Sequence, residues 1–406
     1  MNRVSRITTI AAVVWTAACA QSFEQRIAAI VSRPEYPHAR FGMEFWPLDA
    51  AKPSFRLNAQ QFFIAASTTK LVTEGTALSL LGPDFRFHTR VFRTGKIDAA
   101  GTLQGDLILV AAGDPNLSNR IQPDGTLAFQ NQDHAYDGMP GGAKLVPGDP
   151  LAAIRALAAQ VAKAGIRRIA GHVLVDVSLF PEGEHELGTD VVLSPVAVND
   201  NLIDVTIAAQ SEGSTPRLTL SPATAYVRMA NRLTTGPPSS STPDISFTGK
   251  RQPDGTCSVT VEGTVPAGSS LLRTYRVPEP SRFAQMTFVE ALKDAGVSAT
   301  ADLTLPTPDS HAQSFYRPEN QVAEHVSPPF PEEVKVTLKV SQNLHASMTP
   351  YILGQFWGNA MKMRYRRASI WKIGFSHRRD WTYREPARAM APAAPHSSRR
   401  TLWCIT

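Results

Sequence analysis

Apolar residues recur along this chain at helical and at alternating spacings, which predicts a mixture of helices and strands. Leucine, isoleucine, alanine and valine three and four positions apart predict a helix over residues 151–161, capped by Asp149 and ended by Gly165. The other predicted elements are strands over residues 41–47, 54–57 and 169–177, a helix from Ser67 to Gly82, a helix over residues 283–295, a loop over residues 234–243, and Pro-Asp-Gly turns at 123–125 and 253–255.

Length and charge set limits on the organisation and the partners. A chain of 406 residues is long enough for two or three domains. The formal net charge is +6, but residues 364–406 supply +8 of it and residues 1–20 another +2, so residues 21–363 are near −4. The excess of basic residues is therefore confined to the two ends of the chain, and we predict no nucleic-acid partner.

The first 20 residues are typical of an export signal. Arg3 and Arg6 precede the apolar run of residues 7–17, which is too short to span a bilayer, and Ala18-Cys19-Ala20 fits a cleavage site. We expect an exported, periplasmic protein without a stable transmembrane anchor. A lipid-bearing Cys19 is the alternative, and it would make the protein membrane-associated.

Cysteines and acidic clusters give no sign of a cofactor. With Cys19 in the signal and Cys404 in the tail, Cys257 is single, and we expect it to pack within a strand. Glu182, Glu184, His185 and Glu186 could suggest a metal site, but a solvated loop is the favoured interpretation because these residues lie in a Pro/Gly stretch and lack helical register. We predict neither a metal nor any other cofactor.

Ser67 and Lys70 carry the first chemical signal. Residues three apart share a helix face, so the Lys70 amine can reach the Ser67 hydroxyl and serve as its base. The helix N-terminus would favour negative charge developing at Ser67. Roughly one such spacing is expected by chance in a chain of this length, and a helix cap with a solvated lysine is the alternative.

Ser341-Gln342-Asn343 carries the second signal. Serine-lysine acyl-transfer sites use a Ser-x-Asn element to pass protons and to bind substrate amides. The alternative is that Ser341 and Asn343 only end or cap a helix. Asn199-Asp200-Asn201 imitates this motif without the first hydroxyl, and we interpret it as a turn.

Together these motifs resemble the D-alanyl-D-alanine carboxypeptidase/endopeptidase family, the class C low-molecular-mass penicillin-binding proteins. Five ordered segments carry the resemblance across residues 25–360. They are Ser67 to Lys70, residues 105–118 (GDLILVAAGDPNLS), residues 194–204 (SPVAVNDNLID), Ser327-Pro328-Pro329, and residues 339–346 (KVSQNLHA).

The resemblance implies an α+β fold, a penicillin-binding-protein/β-lactamase-like transpeptidase domain of helices on an antiparallel sheet, interrupted by a β-rich insertion. We expect the C-terminal part of the sheet to be incomplete. The predicted boundaries are a signal peptide at 1–20, the transpeptidase-like domain at 21–90 and 279–363, the insertion at 91–278, and an atypical tail at 364–406.

The resemblance also implies a function. Ser67 would be the acylating nucleophile and Lys70 its base, with Ser341 and Asn343 as the second catalytic element. The activity would be serine-type D-Ala-D-Ala carboxypeptidase or endopeptidase cleavage of peptidoglycan stem peptides, with β-lactams as covalent inhibitors. A catalytically incomplete cell-wall-binding homologue is one alternative. A β-lactamase-like hydrolase is another, disfavoured because such enzymes lack the long insertion. The oligomeric state stays open.

One family motif is absent from the sequence. The resemblance calls for Lys-Thr-Gly far downstream of Ser341, whereas this chain has only Lys372-Ile373-Gly374, 31 residues on. The segment from Arg364 onward is rich in arginine and has neither helical nor alternating periodicity. We interpret it as disordered or translated out of frame, and resequencing near codon 363 tests the second interpretation. We expect little or no penicillin labelling of this chain.

Overall fold

The computed structural model describes residues 21–138, 142–238 and 244–357, which form two compact units divided at Ala66 and Ser67. In the first unit, residues 21–66 form one helix and one hairpin: α1 (Phe23–Val31), β1 (Met43–Phe45) and β2 (Phe55–Leu57). The hairpin is antiparallel with Glu44 opposite Arg56, which confirms the two strands expected here. The Ser22 hydroxyl and the Gln25 side chain cap α1 reciprocally.

The second unit contains six helices among its described residues: α2 (Thr69–Leu81), α3 (Ala152–Lys163), α4 (Pro280–Asp294), α5 (Ser310–Gln313), α6 (Phe330–Val340) and α7 (Asn343–Phe356). Helices α2, α3 and α4 confirm predictions. Gly82, with a φ of +89°, ends α2 as the sequence indicates. Asp149 bonds the Leu151 amide through its carboxylate, although α3 itself begins at Ala152.

The strands of this unit are β3 (His88–Arg93), β4 (Lys96–Ile97), β5 (Thr102–Gln104), β6 (Leu107–Val110), β7 (Arg168–Ile169), β8 (Val173–Asp176), β9 (Leu202–Ala208), β10 (Arg217–Ser221), β11 (Val227–Gly236), β12 (Asp244–Arg251), β13 (Cys257–Pro266), β14 (Ser270–Arg276) and β15 (Gln321–Val326). They form sheets ordered β15-β3-β6-β8, β10-β9-β14, β11-β13-β12 and β4-β5-β7. Helices beside several separate sheets confirm the α+β class.

Three details depart from the predicted elements. The strand expected over residues 169–177 is two strands, because the chain at Gly171 runs against Gly105 and Asp106. The loop expected from residue 234 begins later, since β11 pairs with β13 as far as Gly236. The Pro-Asp-Gly turns are confirmed, with Gly125 and Gly255 in the left-handed region.

Four buried hydrophobic clusters are present among the described residues of this unit, and two of them position the motif-bearing helices and the main sheet. The larger lies between α3, α4 and the β15-β3-β6-β8 sheet, and includes Ile154, Leu157, Phe283 and Phe288. The other joins α2 and α7 through residues such as Ala77, Leu344, Met348 and Leu353. This second core fixes α2 beside α6 and α7, and so fixes the helices that carry both chemical motifs.

The predicted domain boundaries stay predictions. The pairing of β3 with β15 joins residues 88–93 to residues 321–326 across the interval assigned to the insertion. The signal peptide at 1–20 and the tail at 364–406, including Lys372, lie outside the described residues. Among the described residues, no helix is long and apolar enough to cross a bilayer. Cys257 is buried at the start of β13, as expected.

Candidate active site

The serine and lysine of the first motif lie together at the start of α2. Ser67 is exposed in the 3₁₀ turn Ala66–Thr68, and Lys70 follows in the first turn of the helix. The Lys70 Nζ donates to Ser67 Oγ over 3.2 Å. Lys70 is only 6% exposed, so its amine approaches the hydroxyl from inside the protein. The contact predicted from the spacing is therefore present.

The second motif meets the first at the same point. Lys70 Nζ donates to the Ser341 carbonyl oxygen over 2.6 Å, to Ser341 Oγ over 3.0 Å and to Asn343 Oδ1. The Ser341 hydroxyl donates in turn to Ser67 Oγ over 2.8 Å. Residues about 270 positions apart thus form one continuous hydrogen-bonded group of two hydroxyls, an amine and an amide.

The local sequence explains how Ser341 and Asn343 are presented. Only two residues separate α6 from α7, and Ser341 makes the reversal with a left-handed φ of +59°. Gln342 caps α7 by accepting from the Leu344 amide over 3.1 Å. Ser341 does end one helix and Asn343 does begin the next, so the helix-capping interpretation is confirmed, and the chemical one stays a prediction compatible with it. The tight junction aims both side chains at Lys70.

Burial and charge act on Lys70 in opposite directions. Burial lowers the pKa of the Lys70 amine, while the carboxylates of Glu186 and Glu74 favour its charged form and oppose that shift. A lysine with a lowered pKa is neutral more often at physiological pH, and a neutral amine can accept the Ser67 proton. The arrangement is suited to activating a hydroxyl nucleophile.

Tyr136 is a fifth member of the group, and no feature of the sequence pointed to it. It lies in a 3₁₀ turn, His134–Tyr136, and its hydroxyl donates to the Ser341 carbonyl oxygen, which also accepts from Lys70. Burial raises the pKa of Tyr136, and Asp133 and Glu186 raise it further, so the phenol stays protonated as a donor. No local motif marks this residue, because its role depends on a contact across 205 positions.

Comparison with known proteins agrees with this geometry. A model of the D-Ala-D-Ala carboxypeptidase 3 (S13) family matches residues 23–361. The chain belongs to this family. A D-alanyl-D-alanine carboxypeptidase of an Actinomadura species is 26% identical over 345 residues, covering 81% of this chain and 56% of the relative. The S13 chain therefore spans little more than half the length of that relative.

Solved structures give the same fold. Penicillin binding protein 4 (dacB) of Haemophilus influenzae superposes with a TM-score of 0.57 at 18% identity, covering 81% of this S13 chain and 65% of its own. The same protein complexed with a β-lactam superposes with a TM-score of 0.55 at 17% identity, covering 81% of this chain and 64% of its own. These matches support the penicillin-binding-protein fold inferred from the sequence.

Beneath the S13 motif residues lies a buried network of charges. The Asp200 carboxylate accepts from Arg120 over 2.7 Å, from Gln342 over 3.1 Å, and lies 3.0 Å from His345 Nε2. His134 reaches the same carboxylate over 2.9 Å. Burial would raise the pKa of Asp200, but Arg120, His345 and these hydrogen bonds hold it well below its usual range.

The same network surrounds His345, which the sequence left without a partner. Its Nδ1 lies 3.0 Å from Glu333, opposite Asp200. Although burial lowers it, these two carboxylates raise the pKa of His345 to about 10. Asn199, Asp200 and Asn201 all have left-handed φ values of 48° to 56°. The Asn-Asp-Asn stretch is thus a turn, as expected, and it places the Asp200 carboxylate against Gln342 and His345 of the Ser-Gln-Asn junction.

Asp133, His134 and Asp200 bring three donor atoms within 4.8 Å of one another, a spacing that could suit a metal ion. The Arg120 guanidinium already stands between two of them, donating to Asp133 over 2.5 Å and to Asp200 over 2.7 Å. This organic cation supplies the positive charge that the two carboxylates require. The chemistry of the cluster is that of a structural ion network.

The interpretation of residues 182–186 as a solvated loop is wrong for Glu182 and Glu186, which are half-buried and buried. Glu182 accepts from the Ser194 hydroxyl over 2.5 Å and from the Ser281 hydroxyl over 2.7 Å. Glu184 accepts from Tyr351, and Glu186 is only 7% exposed. A Pro- and Gly-containing stretch looks solvated in sequence, because its hydrogen-bond partners come from distant segments. Glu184 and His185, by contrast, are exposed as expected, and His185 lies beside Asp190.

Proposed function

We propose that this chain is a serine-type D-Ala-D-Ala carboxypeptidase/endopeptidase that acts on peptidoglycan stem peptides and is acylated by β-lactams. An exported, periplasmic location fits that substrate. The observation that carries the proposal is the contact of Lys70 with Ser67, Ser341 and Asn343. Membership of the S13 family and the penicillin-binding-protein fold support the same reaction class.

Each group that makes these contacts has a role in one step of the proposed reaction. Lys70, as the neutral amine, takes the Ser67 proton while Ser67 Oγ forms an ester with the carbonyl carbon of the penultimate D-Ala. The C–N bond to the terminal D-Ala breaks, and Ser341, bonded to both Ser67 and Lys70, relays the proton to the departing amine. Water then hydrolyses the ester. Asn343 is placed to hold the substrate amide beside Lys70.

A second candidate is a catalytically incomplete homologue that binds cell wall without cleaving it. The observation that favours it is the absence of a Lys-Thr-Gly sequence anywhere in the chain. That motif would supply the carboxylate-binding lysine and part of the oxyanion hole. Loss of one oxyanion donor costs on the order of 10²–10³-fold in rate, so we expect slow acylation.

Labelling with a fluorescent penicillin separates the two. The proposed function predicts slow labelling that Ser67→Ala abolishes, with Ser79→Ala, an exposed serine on the same helix, as the matched control. A label that survives Ser67→Ala would refute the assignment of the nucleophile. Complete absence of label after long incubation, in a protein that still sediments with peptidoglycan, would establish the second candidate.

A further inference from the structure

The loop of residues 186–190 lies against the candidate active site and has no role in the steps described above. The Glu186 carboxylate closes this loop on itself. It accepts from the Gly188 amide over 2.8 Å, the Thr189 amide over 2.6 Å and the Thr189 hydroxyl over 2.7 Å. Three hydrogen bonds to one buried carboxylate leave the loop little freedom to move.

The loop is also tied to the strand that supports Tyr136. Arg276 of β14 donates to the Thr189 carbonyl oxygen over 3.1 Å, and its other nitrogens pair with Asp137, next to Tyr136. The two loops on this side of the site therefore share one guanidinium. Asp137 also accepts from the Thr274 amide over 2.8 Å, which fixes the second loop on β14.

Gly188 brings the backbone of the loop against Asn343. A Cβ placed on Gly188 would lie 2.3 Å from Asn343 Nδ2 and 3.3 Å from both carboxylate oxygens of Glu186. No side chain fits there without displacing the amide. Asn343 is thus held between Lys70, to which its Oδ1 is bonded, and the bare backbone of Gly188.

We propose that Gly188 and Glu186 are positioning residues of the site, which hold the Asn343 amide in register with Lys70 and balance the charge of that amine. This inference rests on the proposed function and deepens it. Besides Glu186, the titratable groups around Lys70 are Glu74, one turn along α2, and Tyr136. The Glu186 carboxylate and the Asn343 amide, which is bonded to Lys70, both lie against Gly188.

The first test is Gly188→Ala, with Gly75→Ala as the matched control because nothing lies within 4 Å of a Cβ there. A displacement near 1 Å can cost on the order of 10²-fold in rate, so we expect penicillin labelling to slow by about that factor in Gly188→Ala only. The side-chain amide NMR signals of Asn343 should shift in the same variant. Unchanged signals and rate would overturn the proposal.

The second test is Glu186→Gln, which keeps an acceptor for the loop and removes the charge. A neutral residue 186 no longer favours the ammonium form, so the pKa of Lys70 should fall further, and the acid limb of the labelling profile should move to lower pH. If the loop has a purely structural role, Glu186→Gln should lower the melting temperature and leave the pH profile of labelling unchanged. That outcome would contradict the proposal.

NMR titration of the Lys70 ammonium in the unreacted protein reports the same pKa without turnover. If the wild-type chain takes no label but Asn343 and Lys70 respond as expected, the proposed function fails and the positioning role stands. If the wild type is labelled and neither variant differs from Gly75→Ala, the positioning role fails and the proposed function stands.

Discussion

Two neighbouring regions of this protein use similar polar side chains under opposite conditions. In the candidate active site Ser67 is exposed and Ser341 and Asn343 are half-buried, so their hydrogen bonds can be exchanged for a substrate's. In the network around Asp200 every carboxylate, guanidinium and imidazole is buried and its partners are fixed. Gln342 belongs to both, because its neighbours face the site while its own amide donates to Asp133 and Asp200.

The comparison teaches where rigidity comes from. A site that binds substrate must be able to exchange its hydrogen-bond partners, so its own hydrogen bonds cannot hold it rigid. It keeps its geometry only if the side chains packed beneath it have fixed hydrogen-bond and ion-pair partners. Gln342, the middle residue of the Ser-Gln-Asn motif, connects the two regions, because it is fully buried between them. Changes in the network should therefore act mainly on stability, and changes at the site mainly on acylation.

The largest expected effect is that of Asp200→Ala. It leaves Arg120 and His345 buried without their shared carboxylate, and breaking a buried pair from one side costs about 3–5 kcal/mol in the free energy of unfolding. Urea unfolding measures the loss. Asp84→Ala, at an exposed aspartate, is the control. Equal stability of the two variants would contradict the role given to the network.

Next in size is the effect of Ser341→Gly on acylation. Glycine accepts the left-handed φ of +59° and removes only the hydroxyl that joins Ser67 to Lys70. We expect labelling by fluorescent penicillin to slow on the order of 10²-fold, with the melting temperature nearly unchanged. A variant that labels at the wild-type rate would remove Ser341 from the proton path.

The network should also respond to pH. His345, between Asp200 and Glu333, has a pKa raised from 6.5 to about 10 by those carboxylates. Its contribution to stability is complete below pH 6.5 and is lost as pH rises toward about 10, because only the folded protein keeps the proton in that window. Unfolding free energies measured across this range should fall with pH.

The matched variant for this pH series is His345→Gln, which should flatten the slope. Burial raises the pKa of Asp114 to about 7, so that group changes stability mainly below the same window. A slope that persists unchanged in His345→Gln would assign the effect to another group, such as His134, whose pKa is also raised.

The smallest expected effect is that of Tyr136→Phe. It removes one of the donors to the Ser341 carbonyl oxygen, while Lys70 remains as the other. A single hydrogen bond is worth about 1 kcal/mol, or roughly fivefold in the rate of labelling. Tyr316→Phe, which loses a 2.6 Å bond to Asp176 away from the site, should affect stability without changing that rate.

Much of the local structure followed from the sequence. The spacing of Ser67 and Lys70, the glycine that ends α2, the Pro-Asp-Gly turns and helices α3 and α4 depend on residues within a few positions of each other. Propensity, capping and helical periodicity act over that range, so the pattern was sufficient. Ser341 and Asn343 were found only because they form a short contiguous motif.

The tertiary structure decided everything that depended on burial or on distant partners. The sequence around Asp200 predicted an ordinary turn, yet in the fold Asp200 is the centre of a charge network. The sequence around Glu186 predicted a solvated loop, yet the fold places Glu186 beside Asn343. Tyr136 joined the site through a contact across 205 positions. The reason is physical: a carboxylate or phenol acquires its pKa, its partners and its role from the groups that surround it after folding, and residue order does not specify those surroundings.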